Sequence, residues 1–222
     1  MQSISSPFGR ACLLGLAILV GAVALPAAAQ SGGPSVPRPA EFYFDEDAGA
    51  RPIVAIEGTD EATVDKLVRQ MERGGRHAEQ ATAQLAHLSM AAGRIDTGMA
   101  LYAKALAGAS EGGPRHRALL WNQAWDLYRA GDVEAALSLW LQASGNRVVR
   151  PSWAPPTLAL ALWKLDRKDD AVAWYAAAVR TYPERWSDPA ALEGLLPDWS
   201  PADRATLSQV LAAWRADPPA WP

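Results

Sequence analysis

The chain has 222 residues, of which 50% are apolar and 20% charged, and its formal net charge is −3. These values are typical of a globular protein and exclude a disordered, collagen-like or disulfide-rich chain. The 21 basic and 24 acidic residues are close to balance. We therefore expect no nucleic-acid partner, because phosphate binding needs a clustered positive field.

The N-terminus has the pattern of an export signal. A short polar segment ends at Arg10, and an uninterrupted apolar run covers 11–25. Pro26 then breaks the run, and three alanines supply the small residues that a signal peptidase requires. We predict a signal peptide over 1–29, cleaved after Ala29, and a periplasmic protein without a membrane span after cleavage. A retained membrane anchor is the alternative, but a spanning helix needs about 20 apolar residues.

The next segment, 30–58, is predicted to be extended or flexible. Its first part, 30–40, is rich in glycine and proline, which resist helix formation. Four carboxylates then enclose three aromatic residues between Glu41 and Asp47. Residues 53–56 form a short β-prone run with no obvious strand to pair with, so we expect them to lie extended against helices.

From Thr59 onward the periodicity of the sequence is helical. Apolar residues at three- and four-residue spacing predict a helix that begins near Thr59 or Asp60 and stops at Gly74. The same pattern predicts helices near 77–92, 96–107, 115–130, 133–144, 155–165 and 168–181. Almost no strand is needed to account for the rest, so the predicted fold class is all-α.

An internal repeat runs through the middle of the chain. Gly93, Gly131 and Asp166 are each followed by an aromatic residue nine positions later and by an alanine twelve positions later. A small residue also stands five positions after each of them. The starting points lie 38 and 35 residues apart, which indicates a helical-hairpin repeat of about 34 residues. Such hairpins approach closely at the small residues, and each needs a neighbour to cover its apolar surface.

These offsets resemble those of the tetratricopeptide repeat family. The segment 121–136 is similar to the first helix of a repeat, its turn and the opening of its second helix, and 158–183 is similar over a longer stretch that closes with proline. The resemblance covers 79–183 and implies an α-solenoid of about three helix hairpins. Asp166 stands where the family prefers glycine. Gln123 stands where it prefers leucine, and needs a hydrogen-bond partner if it is buried.

The ends of such an array need helices that cover them. We expect an N-terminal capping helix within 59–78, and C-terminal capping helices with a tail within 184–222. Asp188 and Ser200 each stand directly before a proline suited to the first turn of a helix. Their side chains can cap a helix, so the C-terminal segment is predicted to contain two helix starts.

Catalytic and metal-binding patterns are missing from the sequence. The three histidines, His77, His87 and His116, lack the spacing of a zinc site, and neither a phosphate-binding glycine loop nor a nucleophile elbow occurs. Asp169 and Asp170 stand at a predicted helix start, where they compensate the helix dipole. We therefore expect no enzyme activity, no cofactor and no metal ion.

Tryptophan is unusually abundant, with ten residues. Trp121, Trp125 and Tyr128 share one helical face, because they are spaced four and three residues apart. In the family, the first helices of the repeats line a concave surface that binds extended peptides or helices, so the resemblance implies a partner-binding groove. The matching residues are His87 and Met90 in the first repeat, Trp121, Trp125 and Tyr128 in the second, and Trp153 and Trp163 in the third.

Two interpretations of these residues stay open. They line a groove for a protein or peptide partner in the cell envelope, or they pack against neighbouring helices and under the N-terminal segment. The acidic segment from Glu41 to Asp47 is a candidate occupant of the groove in cis, and a solvated loop is the alternative. Because tryptophan also stacks on sugar rings, a peptidoglycan- or glycan-binding module is the second functional hypothesis.

Overall fold

The computed structural model describes residues 33–39, 44–145 and 149–220, and these ranges are mostly helical. The helices are α1 (Glu61–Arg73), α2 (Arg76–Ala91), α3 (Ile95–Ala107), α4 (Pro114–Arg129), α5 (Val133–Ser144), α6 (Ala154–Lys164), α7 (Lys168–Thr181), α8 (Pro183–Trp186), α9 (Leu192–Leu195) and α10 (Pro201–Ala216). A 3-10 turn covers Pro189–Ala191, and the short strands β1 (Phe44–Asp45) and β2 (Arg150–Pro151) pair in parallel. The all-α expectation is confirmed.

The helices expected from periodicity are present within about two residues of their predicted bounds. The predicted signal peptide, 1–29, lies outside the described residues. Within the described ranges, no helix combines the length and the apolar character needed to span a bilayer.

Side chains define several helix starts. Asp60 accepts a hydrogen bond of 2.7 Å from the Thr63 amide at the start of α1. Ser200 accepts one of 3.1 Å from the Asp203 amide at the start of α10. Both are N-cap contacts, which satisfy amides that lack a partner within the helix. The predicted start at Ser200 is confirmed, whereas Asp188 begins only the 3-10 turn.

Three consecutive hairpins, α2–α3, α4–α5 and α6–α7, turn in the same way. Gly93, Gly131 and Asp166 adopt positive φ angles of 75°, 94° and 59°, the left-handed conformation that closes many helices. In each turn the following amide donates to the carbonyl five residues earlier: Arg94 to Ser89 at 2.9 Å, Asp132 to Leu127 at 3.0 Å and Arg167 to Leu162 at 2.9 Å. Asp166 thus takes the conformation that glycine takes in the other two hairpins.

The residues at the repeated offsets are also packed alike. The aromatic residues Tyr102, Trp140 and Tyr175 are all 0% exposed. In the first hairpin the small residue is Gly98, where an added Cβ would lie 2.5 Å from Cγ of Met90. The repeated sequence positions therefore correspond to repeated packing positions, as close helix contact requires.

Each hairpin packs against the next one along the chain. Helices α2 and α3 contact α4, and α5 contacts α6. Helix α1 packs on α2, and α10 packs on α6 and α7. The largest apolar cluster, with Trp125, Trp140 and Trp174 among its buried members, extends from α2 to α10. A second cluster around Leu67 and Leu85 joins α1 to α2.

Gln123 is buried in α4. Its Nε2 atom donates to Sδ of Met99 at 3.5 Å, and its Oε1 atom has no partner among the described residues. The partner expected for this side chain is therefore a weak thioether acceptor.

Candidate functional site

A cavity of about 590 Å³ lies between α2, α4, the loop 195–199 and the segment Arg51–Ile56, which we call the strap. The cavity has an aromatic wall, formed by Trp121, Trp125 and Trp199, and a polar wall, formed by His87, Asp126 and Arg129. Its volume is typical of a ligand-binding pocket.

The aromatic wall is built around Trp125. This side chain is 6% exposed, and its ring meets the rings of Trp121 and Trp199 edge-on, at centroid distances of 6.1 and 5.4 Å. Trp140 lies behind it at 5.0 Å. Edge-to-face contacts of this kind add to the burial energy. Trp125 is thus fixed in the core, whereas Trp121 and Trp199 are only partly buried.

The polar wall is organised by the carboxylate of Asp126, which is buried. Oδ2 accepts a hydrogen bond of 2.6 Å from the Tyr102 hydroxyl. Oδ1 lies 2.8 Å from Nδ1 of His87 and 3.5 Å from a guanidinium nitrogen of Arg129. The charge is therefore compensated by three donors, which burial of a carboxylate requires.

Tyr102 stays protonated in this arrangement. Burial, and then the negative charge of Asp126, raise the pKa of the Tyr102 hydroxyl far above its ordinary value. The hydroxyl therefore acts as a permanent donor to the carboxylate.

His87 and Arg129 are the solvent-facing members of the polar wall. The His87 side chain is 47% exposed, and its Nδ1 atom is engaged by Asp126, which leaves Nε2 as the ring nitrogen open to a ligand. The Arg129 guanidinium lies 5.4 Å from the centroid of the Trp125 ring, a cation–π contact that links the two walls.

Asn122 of α4 holds the first half of the strap. Its Oδ1 atom accepts a hydrogen bond of 3.1 Å from the Ile53 amide, and its Nδ2 atom donates one of 2.9 Å to the Arg51 carbonyl. Both contacts are to main-chain atoms. The side chain of Ile53 packs on an apolar cluster that contains Ala83 and Leu119.

Gln84 of α2 holds the second half in the same way. Its Oε1 atom accepts hydrogen bonds of 2.7 and 2.9 Å from the amides of Ala55 and Ile56, and its Nε2 atom donates one of 2.7 Å to the Ile56 carbonyl. Gln84 stands nine residues before the turn residue Gly93, as Asn122 stands nine before its own turn. The strap is thus held at equivalent positions of two successive hairpins.

The structure brings together three of the seven predicted partner-binding residues. Trp121, Trp125 and His87 line the cavity. Met90 is buried against Gly98 in the first hairpin.

Tyr128 is buried, and its hydroxyl donates to Oδ1 of Asp203 at 2.5 Å. It borders a second cavity together with Lys164 and Trp199. Burial, and then the hydrogen bond to Asp203, raise the pKa of the Tyr128 hydroxyl far above its ordinary value.

The two tryptophans of the third repeat lie elsewhere. The indole nitrogen of Trp153 donates to Asp47 at 3.4 Å, so this residue packs beneath the N-terminal segment. The indole nitrogen of Trp163 donates to Gln209 of α10 at 3.0 Å, and Nζ of Lys168 lies 4.0 Å from the centroid of its ring.

The segment that lies on α2 and α4 is the strap, and the acidic residues suggested as a cis occupant precede it. Residues 41–43 fall outside the described ranges, and Asp45 and Glu46 are exposed. The β-prone run 53–56 does lie against helices, as expected, but belongs to neither helix nor strand.

Sequence reasoning missed Trp199, Gln84 and Asn122. Trp199 belongs to the loop before α10, and no periodicity marks it. For the two amides a signal was available, because both stand nine residues before a turn residue of the repeat. No group of three or more metal-ligating side chains is assembled within the described ranges.

Comparison with known proteins identifies no relative of this chain. No protein-family model matches the chain, and neither a curated protein nor a solved structure matches it. Function is therefore inferred from the geometry of the site.

Proposed function

We propose that the protein is an exported, non-catalytic scaffold of the tetratricopeptide type that binds a non-helical segment of a partner protein. In this proposal α2–α7 form an α-solenoid of three hairpins, with α1 and α10 as caps. The shared turn conformation and the shared buried aromatic positions of the hairpins support it. The apolar leader pattern of 1–29 supports export to the periplasm.

The strap is the observation that carries the proposal. Its main chain is hydrogen-bonded by Gln84 and Asn122 on the first helices of two hairpins. Amide side chains that pair with peptide groups accept many sequences, and in peptide recognition such main-chain bonds supply affinity while pockets supply specificity. The face of α2 and α4 is therefore suited to polypeptide.

The adjoining cavity supplies the specificity element. Trp121 and Trp199 are partly buried and stand against the rigid Trp125, the arrangement in which aromatic anchors contribute most to binding. His87 and Arg129 place polar groups at the same cavity, where they can pair with main-chain or side-chain oxygens of the partner.

Photo-crosslinking tests the proposal directly. A benzophenone amino acid replaces Trp121 in one variant and, as the matched control, the half-buried Trp163 in another, and both are expressed in the periplasm. We expect light-induced adducts at position 121 that map to one partner segment and are missing at position 163. Identical adducts at both positions would contradict the proposal.

Calorimetry with the mapped segment as a synthetic peptide then measures binding. Trp121→Ala is expected to weaken binding at least about ten-fold, because truncation of an aromatic anchor costs about 2 kcal/mol or more and a ten-fold change corresponds to about 1.4 kcal/mol. Trp163→Ala is expected to leave it unchanged. Equal affinity of both variants would remove the cavity from the binding site.

A glycan-binding module is the second candidate, and it draws on the same indoles. Sugar stacking needs an open ring face, and Trp125 is 6% exposed, so this role would fall to Trp121 and Trp199. Sedimentation with purified peptidoglycan separates the two proposals, since retention of the isolated protein by the polymer favours the glycan.

A further inference from the structure

We propose that the strap is an internal ligand of the α2–α4 face, and that a partner segment binds by replacing it with a large apolar side chain at the position of Val54. The inference rests on the proposed function and specifies how the site is regulated and what it selects. Four features of the strap support it: its main-chain contacts, the exposure of Val54, its two anchors and its exposed borders.

The contacts that hold the strap could be made by another chain. The five hydrogen bonds that join Gln84 and Asn122 to the strap involve its amides and carbonyls and none of its side chains. Because every polypeptide carries these groups, a second segment can form the same bonds once the strap has left.

Val54 is the strap side chain that fits its surroundings least. It lines the cavity and is nevertheless 52% exposed, and among the described residues the only other exposed large apolar side chain is that of Ile95. The cavity beside it has a volume of about 590 Å³ and an aromatic wall. A larger apolar side chain at this position would bury more surface against Trp121 and Trp199 than valine does.

The neighbouring strap residues act as anchors. Ile53 packs on the cluster that contains Leu119, and Ile56 packs on the cluster that contains Leu67 and Leu85. A competing segment therefore needs aliphatic side chains on both sides of its large residue, three positions apart. This pattern defines the chemistry of the partner: an open main chain with two aliphatic anchors and a large apolar residue directly after the first.

The strap can detach without unwinding a helix. A turn at Ala48 and Gly49 precedes it, and the exposed loop from Glu57 to Asp60 separates it from α1. Segments that lie outside helices and are bordered by exposed connections can open locally without global unfolding. Because the strap is tethered, its high effective concentration keeps weak competitors out.

Cutting the tether provides the test. Two protease sites, one between Gly49 and Ala50 and one between Gly58 and Thr59, allow the strap to be cut free of the residues on both sides of it in the folded protein. The probes are fluorescent synthetic peptides of residues 50–57, one with the natural sequence and one carrying Val54→Trp. We expect the uncut protein to bind neither peptide and the cut protein to bind both, with the Val54→Trp peptide at least about ten-fold tighter.

Two further variants test whether peptide binding depends on release of the strap and on the face that holds it. Ala55→Pro in the uncut chain removes the amide proton that donates a hydrogen bond to Oε1 of Gln84. Because the strap is then held less tightly, we expect this variant to bind the natural peptide. Asn122→Ala in the cut protein is expected to lose binding of both peptides. Circular dichroism verifies the helical content of each sample.

The inference is overturned if the cut protein unfolds, if it keeps the severed strap without exchange, or if the two peptides bind equally well. The crosslinking test of the proposed function uses the uncut chain and position 121, so it is independent of these outcomes. Crosslinking without peptide exchange would mean that a partner binds at the cavity while the strap stays in place.

Discussion

Nδ1 of His87 lies 2.8 Å from Oδ1 of Asp126, and the two residues come from the first helices of successive hairpins. The contact joins α2 to α4 at the polar wall of the cavity, with the Tyr102 hydroxyl on the other carboxylate oxygen. The polar wall of the cavity and the packing of α2 on α4 therefore depend on the same buried carboxylate.

Asp126→Asn is expected to destabilise the protein by about 1–3 kcal/mol, because the buried Tyr102 hydroxyl and the half-exposed His87 ring lose their charged acceptor. Urea unfolding followed by circular dichroism measures the change. Glu61→Gln, at an exposed site in the first turn of α1, is the control and should shift stability by less than about 0.5 kcal/mol. Equal stability of Asp126→Asn and wild type would show that the carboxylate does not hold the hairpins together.

Stability is expected to fall in alkaline solution. Burial raises the pKa of Tyr102 far above its ordinary value of about 10. Between about pH 10 and the pKa of the folded protein, the unfolded chain loses this proton and the folded one keeps it, so the stabilisation present below pH 10 is lost as pH rises.

Tyr102→Phe tests this pH dependence. Between pH 9 and pH 11, wild type should lose about 1.4 kcal/mol more than the variant in the free energy of unfolding. Tyr182→Phe, at a partly buried tyrosine, is the control. Identical pH profiles for wild type and Tyr102→Phe would show that the hydroxyl ionises in the folded state as easily as in the unfolded state.

Gly98→Ala is expected to destabilise the protein by about 1–3 kcal/mol, because the new Cβ would lie 2.5 Å from Cγ of Met90 and 3.1 Å from the Ala86 carbonyl oxygen. Gly108→Ala is the matched control, since the nearest neighbours of its new Cβ would lie at 3.5 Å or more and its φ is −86°. Urea unfolding compares the two. If Gly98→Ala left the free energy of unfolding unchanged, α2 and α3 would be able to move apart without loss of stability.

Asp166→Gly is expected to stabilise the protein by about 1 kcal/mol, because glycine adopts a φ of 59° without steric strain. Gly131→Ala, at the equivalent turn with a φ of 94°, should have the opposite sign. Thermal unfolding of both variants gives the comparison. A loss of stability in Asp166→Gly would point to a role for the carboxylate beyond the turn.

Gln84→Ala is expected to free the second half of the strap. The amides of Ala55 and Ile56 lose their acceptor, and their hydrogen exchange should become at least about ten-fold faster. Amides of α3 should be unaffected, and Gln80→Ala, at an exposed site one turn earlier on α2, serves as the control. Unchanged exchange at residue 55 would show that the strap is held by other contacts.

The helices of this fold can be predicted from sequence because their signals are local. Turn residues such as Gly131 and offsets of five, nine and twelve residues lie within one hairpin, and they place helix ends to within about two residues. The positive φ of Asp166 follows from the same alignment, although glycine is missing there.

The site depends on contacts that are distant along the chain. The strap meets Gln84 across about 30 residues and Asn122 across about 70, and periodicity carries no information on such pairings. Periodicity correctly placed Trp163 on the first helix of the third hairpin, but it could not show that Gln209 of α10 contacts this side chain. Trp199 lies in a loop, where only the folded chain reveals its place beside Trp125.

The strap also shields the N-terminal helix. Ala55 and Ile56 pack on the cluster in which Leu67 of α1 meets Leu85 of α2. A molecule that displaced these two residues would expose this apolar cluster and weaken the packing of α1 on α2. Displacement of the strap would therefore also expose an apolar surface on α1, to which a further protein could bind.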